Sequence, residues 1–314
     1  PEFVNVSTPS YSGTHMEGFH GAIHAVVQQR AQGGPQTEVV NLLPGFVSSA
    51  DYRLLKDILT DFGLEGIMLP DLSETMDRPA LLEYEKVAEG GTPLASIKEM
   101  GRSRASIEFG RTLSAKESSG LTLEERFKVK NHRLGMPIGI EETDRFFDLL
   151  SSLSGQPVPE KYAKERGRLV DAYVDGHKYV FGKKAIIYGE EDLVVGMTAF
   201  LAEIGITPIL CASGGTSGRL AEAISETTSD ILPEQPAIHE GVDFFDIAEI
   251  AESLGPDLLV GHSKGYPLAR KLNIPLIRVG FPIHDRVGGQ RVVHLGYSGA
   301  QQLFDQVANA MIAK

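Results

Sequence analysis

The chain has 314 residues, 42% hydrophobic and 23% charged, with 42 acidic against 30 basic side chains and a formal net charge of −12 at pH 7. That length carries two domains with their own cores, while the acidic balance excludes a nucleic-acid binder, whose affinity rests on Lys and Arg neutralising phosphates, and the apolar runs are too short to span a bilayer. The single cysteine, Cys211, excludes an internal disulfide framework and a multi-cysteine iron–sulfur site built by this stretch alone, and fits a reducing, cytoplasmic setting.

No signal peptide opens the chain, and residues 2–7 read as a buried strand inside a domain, so the chain is expected to belong to a longer protein. Apolar Phe19, Ile23, Val26 and Val27 at helical spacing predict a helix over about 17–30, and Gly33-Gly34-Pro35 breaks it. A strand at 39–43, a Ser-capped helix reaching Phe62 and a strand at 66–69 form a β-α-β unit, which implies parallel pairing. A helix at 94–100, a strand at 105–109, a polar helix-plus-loop at 111–130, a strand at 134–138 and an amphipathic helix at 143–153 follow. Gly155-Gln156-Pro157-Val158-Pro159 is a rigid joint, and the charged helical pattern of 160–180 suits a bridge.

Strands at 185–188, 207–211, 258–260 and 275–279 then alternate with helices at 193–203, 218–225, 244–254 and 299–313, with a loop holding two prolines after Ser225. The fold class is therefore α/β, two doubly wound parallel-sheet (Rossmann-like) domains plus the tail of a third at the N-terminus. The expected divisions are 1–34, the end of an N-terminal α/β domain; 35–157, a middle α/β domain; 158–182, a bridging helix; and 183–314, a C-terminal α/β domain.

Polar and charged residues crowd the ends of the last two strands: His262, Lys264, His284, Asp285, Arg286 and Arg291. Open α/β sheets build their binding crevices at such strand ends. Gly261-His262-Ser263-Lys264-Gly265 matches the G-x-S-x-G nucleophile elbow, though its acid and histidine partners are unplaced and a plain turn into a helix fits as well. His284 with Asp285 could supply an acid/base pair; Asp285 with Arg286 could equally be an ion pair that fixes the loop, so that Arg286→Glu disturbs folding or pairing. Ala212 to Gly218 lies between a strand and a helix, where backbone amides can hold a phosphate, but it lacks the order of a dinucleotide fingerprint and the Lys of a P-loop. His20 and His24, four apart on a helix, can share a metal or form a surface pair. Cys211, at a strand end, reads as a small core residue.

Taken in order, Thr8-Pro9-Ser10-Tyr11-Ser12-Gly13-Thr14-His15, Leu43-Pro44-Gly45-Phe46, Leu69-Pro70-Asp71, Gly90-Gly91-Thr92, Glu165 to Ala172, Tyr188 to Val194 and Ile277 to Ile283 resemble successive landmarks of the nitrogenase component 1 family, on its β-subunit side. Gly261 to Tyr266 and Asp285 to Arg291 look most like the family's scaffold subunit, which matures the iron–molybdenum cofactor for nitrogen fixation. The resemblance implies a cytoplasmic heterotetramer with a second scaffold subunit, docking of the reductase (Fe protein), and an iron–sulfur cluster shared with the partner. It implies no membrane or nucleic-acid partner and no catalytic residue of its own. The family's cluster-binding cysteines lie in an N-terminal region this sequence lacks, so tight cluster binding by this stretch alone is not expected. Ser10 falls where β subunits carry a serine close to the cluster, and it is the one cluster-proximal residue the resemblance implies; as a local reading, Ser10 simply caps the turn after Pro9. Two other functions stay open: the β subunit of a molybdenum or alternative nitrogenase, and a free-standing α/β small-molecule binder.

Overall fold

The structure is a computed structural model that describes residues 3–7, 9, 13–86 and 89–314. Two units are distinguished by their internal packing, 1–134 with 148–157 and 135–147 with 158–314.

In the first unit α1 (His15–Arg30) precedes β1 (Val40–Leu43), α2 (Ser49–Asp61), β2 (Gly66–Met68), α3 (Leu94–Glu99), β3 (Ala105–Phe109), α4 (Ser119–Phe127) and β4 (Lys130–Leu134). The strands pair in parallel in the order β2-β1-β3-β4. Every residue of β1 and β3 is buried, as expected of strands covered on both faces. Helix α2 starts where the sequence says it should: Ser48 and Asp51 form a reciprocal capping box. Val27 of α1 and Ala31, which caps its end, share a core with Leu43, Ile67, Ile97, Met100 and Leu123, so α1 belongs to this unit's core. Residues 3–7 form no strand, and Phe3 is exposed, against the expectation of a buried strand. The strand expected at 134–138 lies earlier, at β4. Its polar residues suit an edge position, and Pro137 has no N–H to give to a ladder.

In the second unit α5 (Gly139–Ser154) begins before α6 (Glu160–Val180), and then β5 (Lys184–Tyr188), α7 (Glu191–Glu203), β6 (Thr207–Ala212), α8 (Leu220–Thr228), β7 (Ala237–His239), α9 (Phe244–Leu254), β8 (Leu258–Gly261), α10 (Tyr266–Leu272), β9 (Leu276–Arg278) and α11 (Gly296–Ile312) follow. All five strands are parallel, in the order β7-β6-β5-β8-β9. The order runs outward in opposite directions from β5 and β8, the arrangement of a doubly wound sheet. Ile186, Leu210, Leu259 and Leu268 lie in one buried cluster of this sheet and its helices. Helix α6, expected as a bridge, groups with this unit, and its Tyr173 ring lies 4.9 Å from the Phe304 ring of α11. Glu203 at the end of α7 accepts the Ile140 N–H at 2.9 Å and the Glu141 N–H at 3.2 Å, capping the start of α5. Strand β7 was not foreseen: it is three residues long and lies just after Pro233 and Pro236, in what reads as a loop.

Candidate functional site

The candidate residues of the second unit follow the carboxyl ends of β8 and β9. The reversal in strand order falls between β5 and β8, which makes their end loops the walls of the expected crevice. That crevice is filled by the protein itself. Tyr188, the last residue of β5, turns its phenol under the loop after β8 and donates a hydrogen bond to the His262 carbonyl at 2.6 Å. Its ring meets the His262 ring edge-on at 4.9 Å and the Phe244 ring at 5.1 Å. A side chain at Gly261 or Gly265 would collide with Tyr188, its Cβ falling 2.5 Å from the Tyr188 carbonyl oxygen and 2.0 Å from its hydroxyl respectively. The two glycines of the G-x-S-x-G pattern are thus there to let a tyrosine in. Burial pushes the Tyr188 phenol well above its ordinary range, so it remains a neutral donor.

Ser263, the central residue of that pattern, is buried and donates its hydroxyl hydrogen to Asp285 while its oxygen accepts the His284 N–H at 3.1 Å. A nucleophile elbow needs an exposed oxygen facing a base. Here the hydroxyl is tied to a carboxylate that is itself held by Arg278, at 2.9 and 3.0 Å from Nε and 2.5 Å from Nη2. Arg278 holds the Asp285 carboxyl well below the usual carboxylate range, with help from the Ser263 hydroxyl and Arg286, against a smaller opposing cost of burial. Arg286 reaches the Asp285 carboxylate only at 3.4 Å and gives its better bond, 2.6 Å, to the Asp285 carbonyl. The loop-fixing role expected of Arg286 therefore falls mainly to Arg278. His284 enters through its backbone; its side chain, like those of Lys264 and Arg291, lies exposed.

The glycine-rich loop at 212–218 is occupied in the same way. Glu191 accepts the Ser217 N–H at 3.2 Å and the Ser217 hydroxyl at 3.0 Å. Glu240, just past β7, accepts the Gly218 N–H at 3.1 Å and the Leu220 N–H at 3.3 Å. Two carboxylates of the chain stand where a phosphate would sit, and burial together with the neighbouring Glu240 pushes Glu191 up to about 7. The strand ends are thus tied in two groups: Glu240 and Glu191 hold the loop after β6 through Ser217, and Tyr188 with Arg278 and Asp285 holds the loop after β8 at His262 and Ser263.

In the sequence Tyr188, Glu191 and Arg278 stand only inside family-like segments, with no role given to them, and Glu240 is not singled out. All four end a strand or follow one closely, which is the signal that could have found them. In the first unit His24 Nε2 is hydrogen-bonded to Thr122 Oγ1 at 2.8 Å, and the His20 ring meets Phe19 edge-on at 5.3 Å. Among the described residues no group of three or more His, Cys, Asp and Glu side chains is placed to hold a metal ion. Cys211 is fully buried on β6, 3.2 Å from Thr198 Oγ1, and burial pushes its thiol up to about 12. A thiol held neutral in a core does not fit the thiolate ligation an iron–sulfur cluster requires. Ser10 lies outside the described residues. Among the described residues no helix is long and apolar enough to cross a membrane.

Comparison with known proteins matches residues 1–312 to the family described as Nitrogenase component 1 type Oxidoreductase. The chain is 33% identical over 312 residues to the nitrogenase molybdenum-iron protein beta chain of Clostridium pasteurianum, covering 99% of this chain and 68% of that one. It is also 33% identical over 323 residues to the nitrogenase iron-molybdenum cofactor biosynthesis protein NifN of Mesorhizobium japonicum, covering 98% of this chain and 65% of that one. The solved structure titled Nitrogenase Cp1 at pH 6.5 superimposes with a TM-score of 0.94 at 32% identity, over 99% of this chain and 68% of that chain.

Proposed function

The chain belongs to the nitrogenase component 1 family, and from that premise we propose that it is the NifN-like subunit of a NifE/NifN-type scaffold on which the iron–molybdenum cofactor is matured. The observation that carries this reading is the self-filled crevice: Tyr188 occupies the switch point and Glu191 with Glu240 occupies the phosphate-type loop. Both positions at which such a sheet ordinarily receives a ligand are taken by the chain's own side chains, which suits a rigid structural subunit. In this reading it pairs with a NifE-like subunit in a cytoplasmic heterotetramer, forms part of the wall around a shared iron–sulfur cluster and meets the Fe protein. The cluster's thiolates come from outside the described residues.

A second reading, the β subunit of a molybdenum or alternative nitrogenase, is favoured by the equal identity to a beta chain and by the TM-score of 0.94. The free-standing small-molecule binder loses its best site to Tyr188.

The distinguishing experiment measures iron, acid-labile sulfide and acetylene reduction on anaerobically purified protein, with and without a NifE-like partner. The scaffold predicts no stoichiometric iron in the chain alone, cluster in the pair, and no acetylene reduction on adding Fe protein and ATP. Sustained acetylene reduction by the pair would transfer the assignment to the catalytic β subunit. Iron in neither preparation would refute both.

A further inference from the structure

Helix α10, the end of β9 and the loop after it bring three arginines together around one aromatic ring. Three guanidiniums surround the ring of Tyr266: Arg278 Cζ at 5.4 Å from the ring centroid, Arg286 Cζ at 5.6 Å and Arg270 Cζ at 5.9 Å. Arg270 also donates to the Tyr266 hydroxyl oxygen at 3.2 Å. Among the described residues Asp285 is the one carboxylate bonded within this group, and Arg278 takes it by two nitrogens. Arg270 and Arg286 therefore add two charges against which little is set, in a chain whose formal net charge is −12. Cations that share one ring repel one another, and the aromatic face offsets that repulsion only in part. A local excess opposite in sign to the molecule's net charge attracts an anion from outside and steers it to that spot.

Beside the cluster is a recess of about 350 Å³, walled by Leu276, Ile283, Val287, Val292 and Ala310, and two of its lining residues are Arg278 and Arg286. Val287 is 97% exposed, an aliphatic side chain facing water at the mouth of an apolar recess. Cationic cluster and recess thus form one continuous surface.

We propose that this surface docks an acidic segment of a partner protein, whose carboxylates meet Arg270 and Arg286 and whose aliphatic side chain enters the recess against Val287 and Val292. The guanidinium fork matches carboxylate geometry by paired hydrogen bonds, and the recess selects for an apolar group attached to those charges. An inorganic anion would satisfy the arginines and leave the recess uncovered. The inference does not rest on the scaffold reading, since the surface is the same whichever member of the family this chain is.

The test titrates the intact protein into a fluorescent synthetic peptide, Asp-Glu-Leu-Glu-Asp with blocked ends, at low and at physiological salt. Saturable binding is expected, weaker at the higher salt and weakened about tenfold or more by Arg270→Gln with Arg286→Gln, which removes two charge-assisted contacts. Val287→Asp and replacement of the peptide's leucine by serine should each weaken it severalfold. Both arginines and Val287 are exposed, so melting temperatures should match the parent. The single variants Arg270→Gln and Val287→Ser keep the test decisive if the double variant melts early. Binding unchanged in these variants, equal binding of a lysine-containing peptide, or no binding would overturn the proposal. Binding of inorganic phosphate with the same arginine dependence, together with indifference to the peptide's leucine, would overturn it too, and leave a simple anion site.

Discussion

Glu191 is a carboxylate with two good donors that nonetheless resists ionisation, because burial and the facing Glu240 outweigh what Ser217 provides. Its folded-state value, about 7, stands above the ordinary 4.5, so between those two pH values the native state holds a proton the unfolded chain has released. The stability this contributes is complete below about 4.5 and is lost as pH rises through about 7. The melting temperature should fall over that window, and Glu191→Gln should flatten the fall and melt no lower than the parent at about pH 8. Half-buried Glu203 is also shifted upward by desolvation and contributes a slope of the same sign, so some dependence should survive in the variant. Asp285 behaves oppositely: its depressed value gives a contribution that is complete above the ordinary carboxylate range and is lost as pH falls through that range toward the lowered folded value. Its partner decides a second prediction. Arg278→Ala strands a carboxylate with a side chain only 17% exposed and should cost about 2–4 kcal/mol in urea unfolding. Arg286→Ala, at 55% side-chain exposure, should cost about 0–1 kcal/mol. An equal cost at the two positions would mean that Arg286 holds the loop after all.

At the scale of elements, the legible parts were those whose chemistry is local. Buried parallel strands such as β5 and β8 announce themselves as apolar runs, because helices cover both faces. Strands β4 and β7 did not, since an edge position lets polar side chains and nearby prolines into a strand. The loop after β8 shows the same division. Its glycine spacing was visible, but the reason for it is a tyrosine 74 residues before His262, which no local pattern reports. That reason is testable by a double-mutant cycle. Gly265→Ala alone should cost about 2–4 kcal/mol, because its methyl group overlaps the Tyr188 hydroxyl. In a Tyr188→Ala background the same change should cost less than about 1 kcal/mol. Additive costs would show that the glycine serves some other purpose.

At the scale of the whole chain, the ordered landmarks from Leu43-Pro44-Gly45-Phe46 to Ile277–Ile283 were legible, and the family match over residues 1–312 agrees with them. The candidate site was legible only as a place. Asp285 and the loops around it could be assigned to strand ends, but their bonding could not, because side-chain partners depend on which strand ends the sheet order makes neighbours. The sheet's strand-end loops, held by Glu240 and Glu191 on one side and by Tyr188, Asp285 and Arg278 on the other, have a consequence for recognition. Loops at such an edge ordinarily surrender conformational freedom when a partner arrives, and association is weakened by that loss. Here the loops are immobilised at folding, before any encounter. A partner would meet a surface already in its bound shape, so its arrival rate would be set by diffusion and charge, and its residence time by the few side chains that protrude.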